Sequence, residues 1–220
     1  MKLIEISLIG LGTHVRKNLL GAFNRSTDVT VEGIYVRDKN RYQELDGVLK
    51  NLKSLEDLEN SKAKWAYIAT PLSTHYALVK RCLSLGMNVI CEKPLTDNIG
   101  STESLFLLAM EKQLVLTEVD MYRHHLQYEH LSALICSNIE HIRSVKAEFS
   151  IPHLDPSDFR YSTEGGGGAL FDVGYYPISI ILDLFGYPKS VTGGKFVDKR
   201  FGIDTSGTAT LFYNDFYCLT

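Results

Sequence analysis

Ile4-Glu5-Ile6-Ser7-Leu8-Ile9-Gly10-Leu11-Gly12-Thr13-His14 reads as a strand that ends directly in a Gly-x-Gly turn. Helical spacing follows to about Phe23, so the turn opens a helix. Free N–H groups and the positive end of the helix dipole converge over residues 10–14, an arrangement that receives the pyrophosphate of a dinucleotide. Val15 stands at the third glycine position of such a turn, where a side chain is expected to interfere with close helix–strand packing. The phosphate contact belongs mainly to the second glycine and is spared. A tight turn without a ligand accounts for this motif equally well.

The same alternation repeats downstream. Residues 29–36 form a second strand ending at Arg37-Asp38, and residues 64–69 form another, ending at Thr70-Pro71. An amphipathic stretch over 75–85 follows and is closed by Gly86. A strand over 88–91, a helix over 100–113 and a strand over 114–117 bring the count to five strands, with a sixth near 48–52. Short apolar runs alternating with helices predict an α/β fold, a doubly wound parallel sheet of Rossmann type over residues 1–120. The remainder, 121–220, predicts a smaller α+β domain. It has a helix over 126–135, a strand over 142–151, a Pro/Asp/Gly-rich loop to Gly168 and a helix over 169–185. Strands over 190–197 and 207–213 alternate with period two, which suits an antiparallel sheet. The chain stops at Thr220, soon after the last of these strands, and leaves a sheet with an unpaired edge. A missing C-terminal portion is therefore expected.

The 220 residues are 45% hydrophobic and 22% charged, enough apolar mass for a core and too little charge for disorder. Lys and Arg number 23 against 26 acids, a net charge of −3 without a basic run, so no nucleic-acid partner is expected. The four cysteines lack C-x-x-C spacing, which fits a reducing compartment better than a disulfide framework. With no cleavable leader and no run of about 18 apolar residues, a cytoplasmic protein without a membrane partner is expected. His124, His125, His153 and Asp155 show no metal-ligand spacing, and no catalytic metal is expected.

Ligands of doubly wound sheets bind outside the C-terminal strand ends, where this sequence places Thr70-Pro71 with His75, and Glu92-Lys93-Pro94. The end of the second strand bears on the cofactor. With Val36 at the position of a ribose-binding acid, Arg37 is left to pair the 2′-phosphate of NADP; with Asp38 turned inward, NAD is preferred. Lys93, directly after a buried strand and before a proline, is fixed in direction. A solvated Arg37 and a surface Lys93 are the plain alternatives.

Gly10-Leu11-Gly12, Thr70-Pro71 with His75, Glu92-Lys93-Pro94, Arg160, Gly166-Gly167-Gly168-Ala169-Leu170 and Asp172-Val173-Gly174-Tyr175-Tyr176 together resemble the Gfo/Idh/MocA oxidoreductases in order and spacing. The resemblance covers essentially the whole chain. It implies a Rossmann domain followed by a domain on a large, open, mainly antiparallel sheet often used for oligomerisation, hence a homo-oligomer. Cofactor contacts are implied for Gly10, Gly12, Thr13 and His14 in the turn, for Arg37, for Thr70, Pro71 and His75, and for Glu92 and Lys93. Substrate contacts are implied for Lys93, Arg160, Asp172 and Tyr176, and catalysis for Lys93, Asp172 and Tyr176, with Tyr176 as acid/base where many members have His. The implied reaction moves a hydride between NADP or NAD, with NADP favoured, and a hydroxyl or carbonyl carbon of a sugar, cyclitol or sugar nucleotide. Imine reduction is a weaker alternative; a non-catalytic dinucleotide-binding or scaffold paralogue with an incomplete substrate domain is the rival of another class. Members of the family are longer than this chain, so a shortened member is expected.

Asp172 and Tyr176 lie four residues apart at the start of a helix, hence on one face. A nearby cation would help a phenol, which ordinarily titrates near pH ~10, to act near neutrality. Lys93, Asp172 and Tyr176 are thus expected to share a cleft between domains. The bland alternatives are a half-buried aromatic at Tyr176, an acid complementing the helix dipole at Asp172, a structural salt bridge at Arg160 and a flexible turn at residues 165–168.

Overall fold

The first strand, β1 (Ile4–Ile9), runs from an exposed start into full burial: Ile4 is 41% exposed, whereas Ile6, Leu8 and Ile9 are at most 3%. Ile6 and Leu8 join one apolar cluster and Ile9 another, so both faces of the strand are covered. That two-sided burial is why the run is nearly continuous in apolar residues rather than alternating. The computed structural model describes residues 3–40, 42 and 51–220.

Around β1 the chain lays down β2 (Val29–Val36), β3 (Leu52–Ser54), β4 (Trp65–Ile68), β5 (Asn88–Cys91) and β6 (Leu116–Glu118). They form one six-stranded parallel sheet in the order β3-β2-β1-β4-β5-β6. The strand order reverses between β1 and β4, which opens a crevice at their C-terminal ends. Of the strand expected over 48–52, residues 48–50 lie outside the described residues, and β3 begins at Leu52. The crossovers carry α1 (Leu20–Arg25), α2 (His75–Ser84) and α3 (Ile99–Glu111).

A π-helical turn (Val15–Leu19) leads into α1, closed by the Leu20 N–H on the Val15 carbonyl. Val15 is fully buried among Ile6, Leu8, Leu11 and Ile34. The valine therefore fills the space between helix and sheet, and the expected packing interference is absent.

Contacts divide the chain into two units, one ending at Val119 and one spanning Asp120–Thr220. In the second, α4 (Leu126–Asn138), β7 (Ser144–Lys146), a π-helical turn (Leu170–Gly174), α5 (Tyr175–Phe185), β8 (Ser190–Asp198), β9 (Ile203–Phe212) and β10 (Tyr217–Leu219) follow in order. The sheet order is β7-β10-β9-β8, antiparallel except for the β10–β7 pair. Ile181 of α5 packs with Leu211 and Cys218 of the sheet to form the small core of this unit.

Two expectations change here. The strand expected over 142–151 is only three residues long, because its neighbour β10 is equally short and offers no further ladder. The sheet has four strands rather than three, since the apolar run Phe216-Tyr217-Cys218-Leu219 returns alongside β9. Among the described residues no helix is long and apolar enough to cross a membrane.

Candidate functional site

In the first unit the loops after β1, β4 and β5 are stitched together by main-chain bonds. Gly10 N–H donates to Tyr35 O, Ala69 N–H to Ile9 O and Glu92 N–H to Ile68 O, each at 2.9 Å. Gly10 holds φ +102°, and a Cβ there would lie 2.4 Å from the Ala69 carbonyl oxygen, so this position admits only glycine. Gly12 differs: a Cβ built on it would meet nothing within 4 Å. The surface over the second glycine is open, which is the room a dinucleotide pyrophosphate needs to reach main-chain N–H groups, so the residues present fit such a cofactor.

His14, just past that opening, places Nε2 3.3 Å from Glu92 Oε1, while Asn18 lies 3.1 Å from its Nδ1. Glu92 also accepts from the Tyr67 hydroxyl at 2.8 Å. Burial, then the adjoining Glu92 carboxylate, push the Tyr67 phenol well above its ordinary value, so it remains a donor. The glycine turn and the Glu92-Lys93-Pro94 loop are thus tied side by side. Thr70 and Pro71 are held by Thr74, whose hydroxyl donates to Thr70 Oγ1 and lies 2.7 Å from Pro71 O. His75 is only 1% exposed, with both ring nitrogens against main-chain carbonyls and neither left for a ligand. Burial raises the Cys91 thiol well above its usual range and that of Cys82 to about 12, which leaves both inert beside the site.

At the end of β2, Val36 is 4% exposed and belongs to the apolar cluster, while Arg37 is exposed. Asp38 accepts the Asn40 N–H through Oδ1 at 3.0 Å, turning its carboxylate to its own loop.

The second unit gathers Arg160, the glycine run and Asp172. Arg160 Nε lies 2.9 Å from Asp172 Oδ2, and its Nη1 lies 3.2 Å from Asp158 Oδ1. Gly168 N–H donates to Arg160 O at 3.1 Å, and a Cβ on Gly167 would sit 2.2 Å from that same oxygen. The run is therefore a turn packed on main chain. Asp204 of β9 accepts the Leu170 N–H at 2.6 Å, capping the start of the helix that carries Asp172.

Arg160, Asp172 and Asp204 line a cavity of about 580 Å³ with Phe149 and His153. That volume lies within the range of about 300–1,000 Å³ usual for small-molecule pockets. Tyr176 is not among the lining residues; its half-buried ring packs on Phe149 with centroids 5.1 Å apart, and on Tyr175 edge-on at 5.8 Å. Tyr175 donates in turn to Asp120 Oδ1 at 2.5 Å. Sequence reasoning singled out none of Asp120, Glu118 or Asp204. Tyr175, which donates to Asp120, and the Leu170 N–H held by Asp204 lie 55 and 34 residues away from these carboxylates.

Comparison with known proteins agrees with this architecture. A family model described as "Oxidoreductase family, NAD-binding Rossmann fold" matches residues 4–120, and the GFO/IDH/MocA C-terminal domain matches residues 134–217. A dTDP-3,4-didehydro-2,6-dideoxy-alpha-D-glucose 3-reductase from Streptomyces violaceoruber is 35% identical over 156 residues, 70% of this chain and 46% of its own length. D-xylose 1-dehydrogenase (NADP(+)) 2 from Haloferax volcanii is 31% identical over 149 residues, 67% of this chain and 46% of its own. The chain thus spans about half the length of these relatives. KijD10, a 3-ketoreductase from Actinomadura kijaniata solved in complex with NADP and TDP-benzene, superposes with a TM-score of 0.90 at 26% identity, covering 99% of this chain and 69% of that one. The two matched domains in this order, over a Rossmann sheet and a mainly antiparallel one, make the chain a member of the Gfo/Idh/MocA oxidoreductase family.

Proposed function

We propose that the chain belongs to an NADP-dependent oxidoreductase that acts on a hydroxyl or carbonyl carbon of a nucleotide-linked sugar. The observation that carries this reading is the His14–Glu92 pair, which holds the open Gly12 turn beside the loop of Lys93. A cofactor-binding element and a catalytic lysine are then neighbours in one unit. Gly10, Gly12, Thr13 and His14 hold the pyrophosphate, with Thr70, Pro71 and Glu92 shaping the adjoining strand ends. The nicotinamide group, when bound, supplies or accepts the hydride. Lys93 polarises the substrate oxygen, Tyr176 exchanges its proton, and Asp172, oriented by Arg160, holds a substrate hydroxyl.

A dTDP-linked 3-ketohexose is the first substrate to test, because the Streptomyces violaceoruber and Actinomadura kijaniata relatives are 3-ketoreductases. NADPH consumed with this sugar supports the reading. Oxidation of D-xylose by NADP alone would move the substrate class to free aldoses, and no turnover with either would favour a binding module. The unpaired cysteines fit action in the cytoplasm. Phe196, Phe212 and Tyr217, exposed on one face of the second sheet, fit self-association into a homo-oligomer.

Val36 is buried and the exposed Asp38 carboxylate is engaged by the Asn40 N–H of its own loop, which leaves Arg37 to recognise the 2′-phosphate. Arg37→Ala is expected to cost NADPH about 1.5–3 kcal/mol, roughly 10- to 150-fold in Kd, and to leave NADH little changed. Nicotinamide fluorescence titrations with both cofactors check this; equal losses for both would show that Arg37 does not see the phosphate.

A further inference from the structure

Lys93 stands between two fixed points. Upstream, Glu92 is held by its N–H on Ile68 O at 2.9 Å and by its carboxylate on the Tyr67 hydroxyl. Downstream, two polar side chains from different elements close on the main chain of Pro94 and Leu95. His75, the first residue of α2, sets Nδ1 2.9 Å from Pro94 O and Nε2 2.9 Å from Thr70 O. Glu118, the last residue of β6, accepts the Leu95 N–H at 2.5 Å. Leu95 itself is 3% exposed and packs in the core with Cys91 and Leu105.

A buried imidazole is costly unless bonded, and at 1% exposure an apolar side chain would fill this place without that cost. The polar residue is therefore explained by what it holds, the loops after β4 and β5. A neutral imidazole donates from one nitrogen only and the imidazolium from both, so every protonation state keeps at least one loop tied. The bond from a carboxylate to a main-chain N–H is of the stronger, charge-assisted kind. We infer that His75 and Glu118 are positioning residues that clamp the Pro94–Leu95 main chain and so fix the direction of Lys93. The inference rests on the role proposed above for Lys93.

Amide hydrogen exchange in the full chain tests the clamp without any substrate. Glu118→Ala is expected to speed exchange at Leu95 and its neighbours over 92–96 by roughly 10-fold or more, while β1 and β4 keep their protection. Glu118→Gln retains an acceptor oxygen and should return most of that protection; His75→Gln retains a donor and should do better than His75→Phe.

The same variants are then assayed with NADPH and a dTDP-linked 3-ketohexose. Turnover should fall roughly 10- to 100-fold in Glu118→Ala and His75→Phe at unchanged KM for NADPH, since small displacements of a catalytic group cost about this much. In a Lys93→Ala background those losses should vanish, because the position of an absent amine no longer matters. Exchange that rises evenly through the unit, or losses that add in full to that of Lys93→Ala, overturns the inference. If Lys93→Ala turns over like the parent while exchange responds locally, the role of Lys93 is what fails, and the catalytic purpose of the clamp fails with it.

Discussion

Gly12→Val is expected to weaken NADPH binding roughly 10²-fold or more while leaving thermal stability unchanged, and Gly10→Ala to do the reverse first, lowering the melting temperature of the domain before any ligand is considered. The two glycines are two residues apart and make opposite demands. Gly10 sits at φ +102° with the Ala69 carbonyl oxygen 2.4 Å from where a Cβ would be. An alanine there takes on the left-handed strain of about 1–2 kcal/mol and an overpacking cost of about 1–3 kcal/mol. Together these lower Tm by on the order of 10 °C for a chain of this size.

Around Gly12 a new side chain meets no protein atom within 4 Å, so the fold does not register it. It projects instead into the space through which a pyrophosphate reaches the main-chain N–H groups. Losing two charge-assisted bonds at about 1.5–3 kcal/mol each weakens binding roughly 10²-fold or more. Thermal melts and fluorescence titrations on both variants separate the effects. A Gly12→Val protein that binds NADPH like the parent would place the cofactor elsewhere.

The sequence carried the Rossmann half well because its signals are local. An apolar run ending in Gly10, a helix closed by Gly86 and the strand over 88–91 each announce an element within a few residues, and β5 is found at Asn88–Cys91. Val15 was misread, since a rule about glycine spacing could not foresee a π-helical turn in which the valine joins the core. In the second unit, β10 escaped because a three-residue strand has no period to detect, and it exists only through pairing with β9 and β7. The candidate site divides the same way. Gly12, Glu92 and Lys93 stand in recognisable order, but Glu118 and Asp204 act on main-chain N–H groups 23 and 34 residues away. No spacing in the chain encodes such a contact.

Tyr176→Phe carries the second large expected effect, a loss of turnover by about 10² to 10⁴, the usual weight of general acid–base catalysis. The structure makes this substitution clean. The Tyr176 ring rests on Phe149 and Tyr175, contacts that phenylalanine keeps, so the substitution removes the hydroxyl and spares the ring packing. Asp172 remains paired with Arg160, and no residue of the glycine turn is changed. Affinity for NADPH should therefore stay near that of the parent, and the deficit should fall on kcat with a dTDP-linked 3-ketohexose rather than on cofactor binding. Lys93→Ala is expected to lower kcat comparably, and the double variant should lose little more than the worse single one if the two groups act on the same oxygen. Rates and NADPH affinities of the three proteins decide the matter. A Tyr176→Phe enzyme that turns over like its parent would return Tyr176 to a packing role and pass the proton transfer to another group, with His153, in the wall of the cavity that Asp172 lines, the next to be substituted.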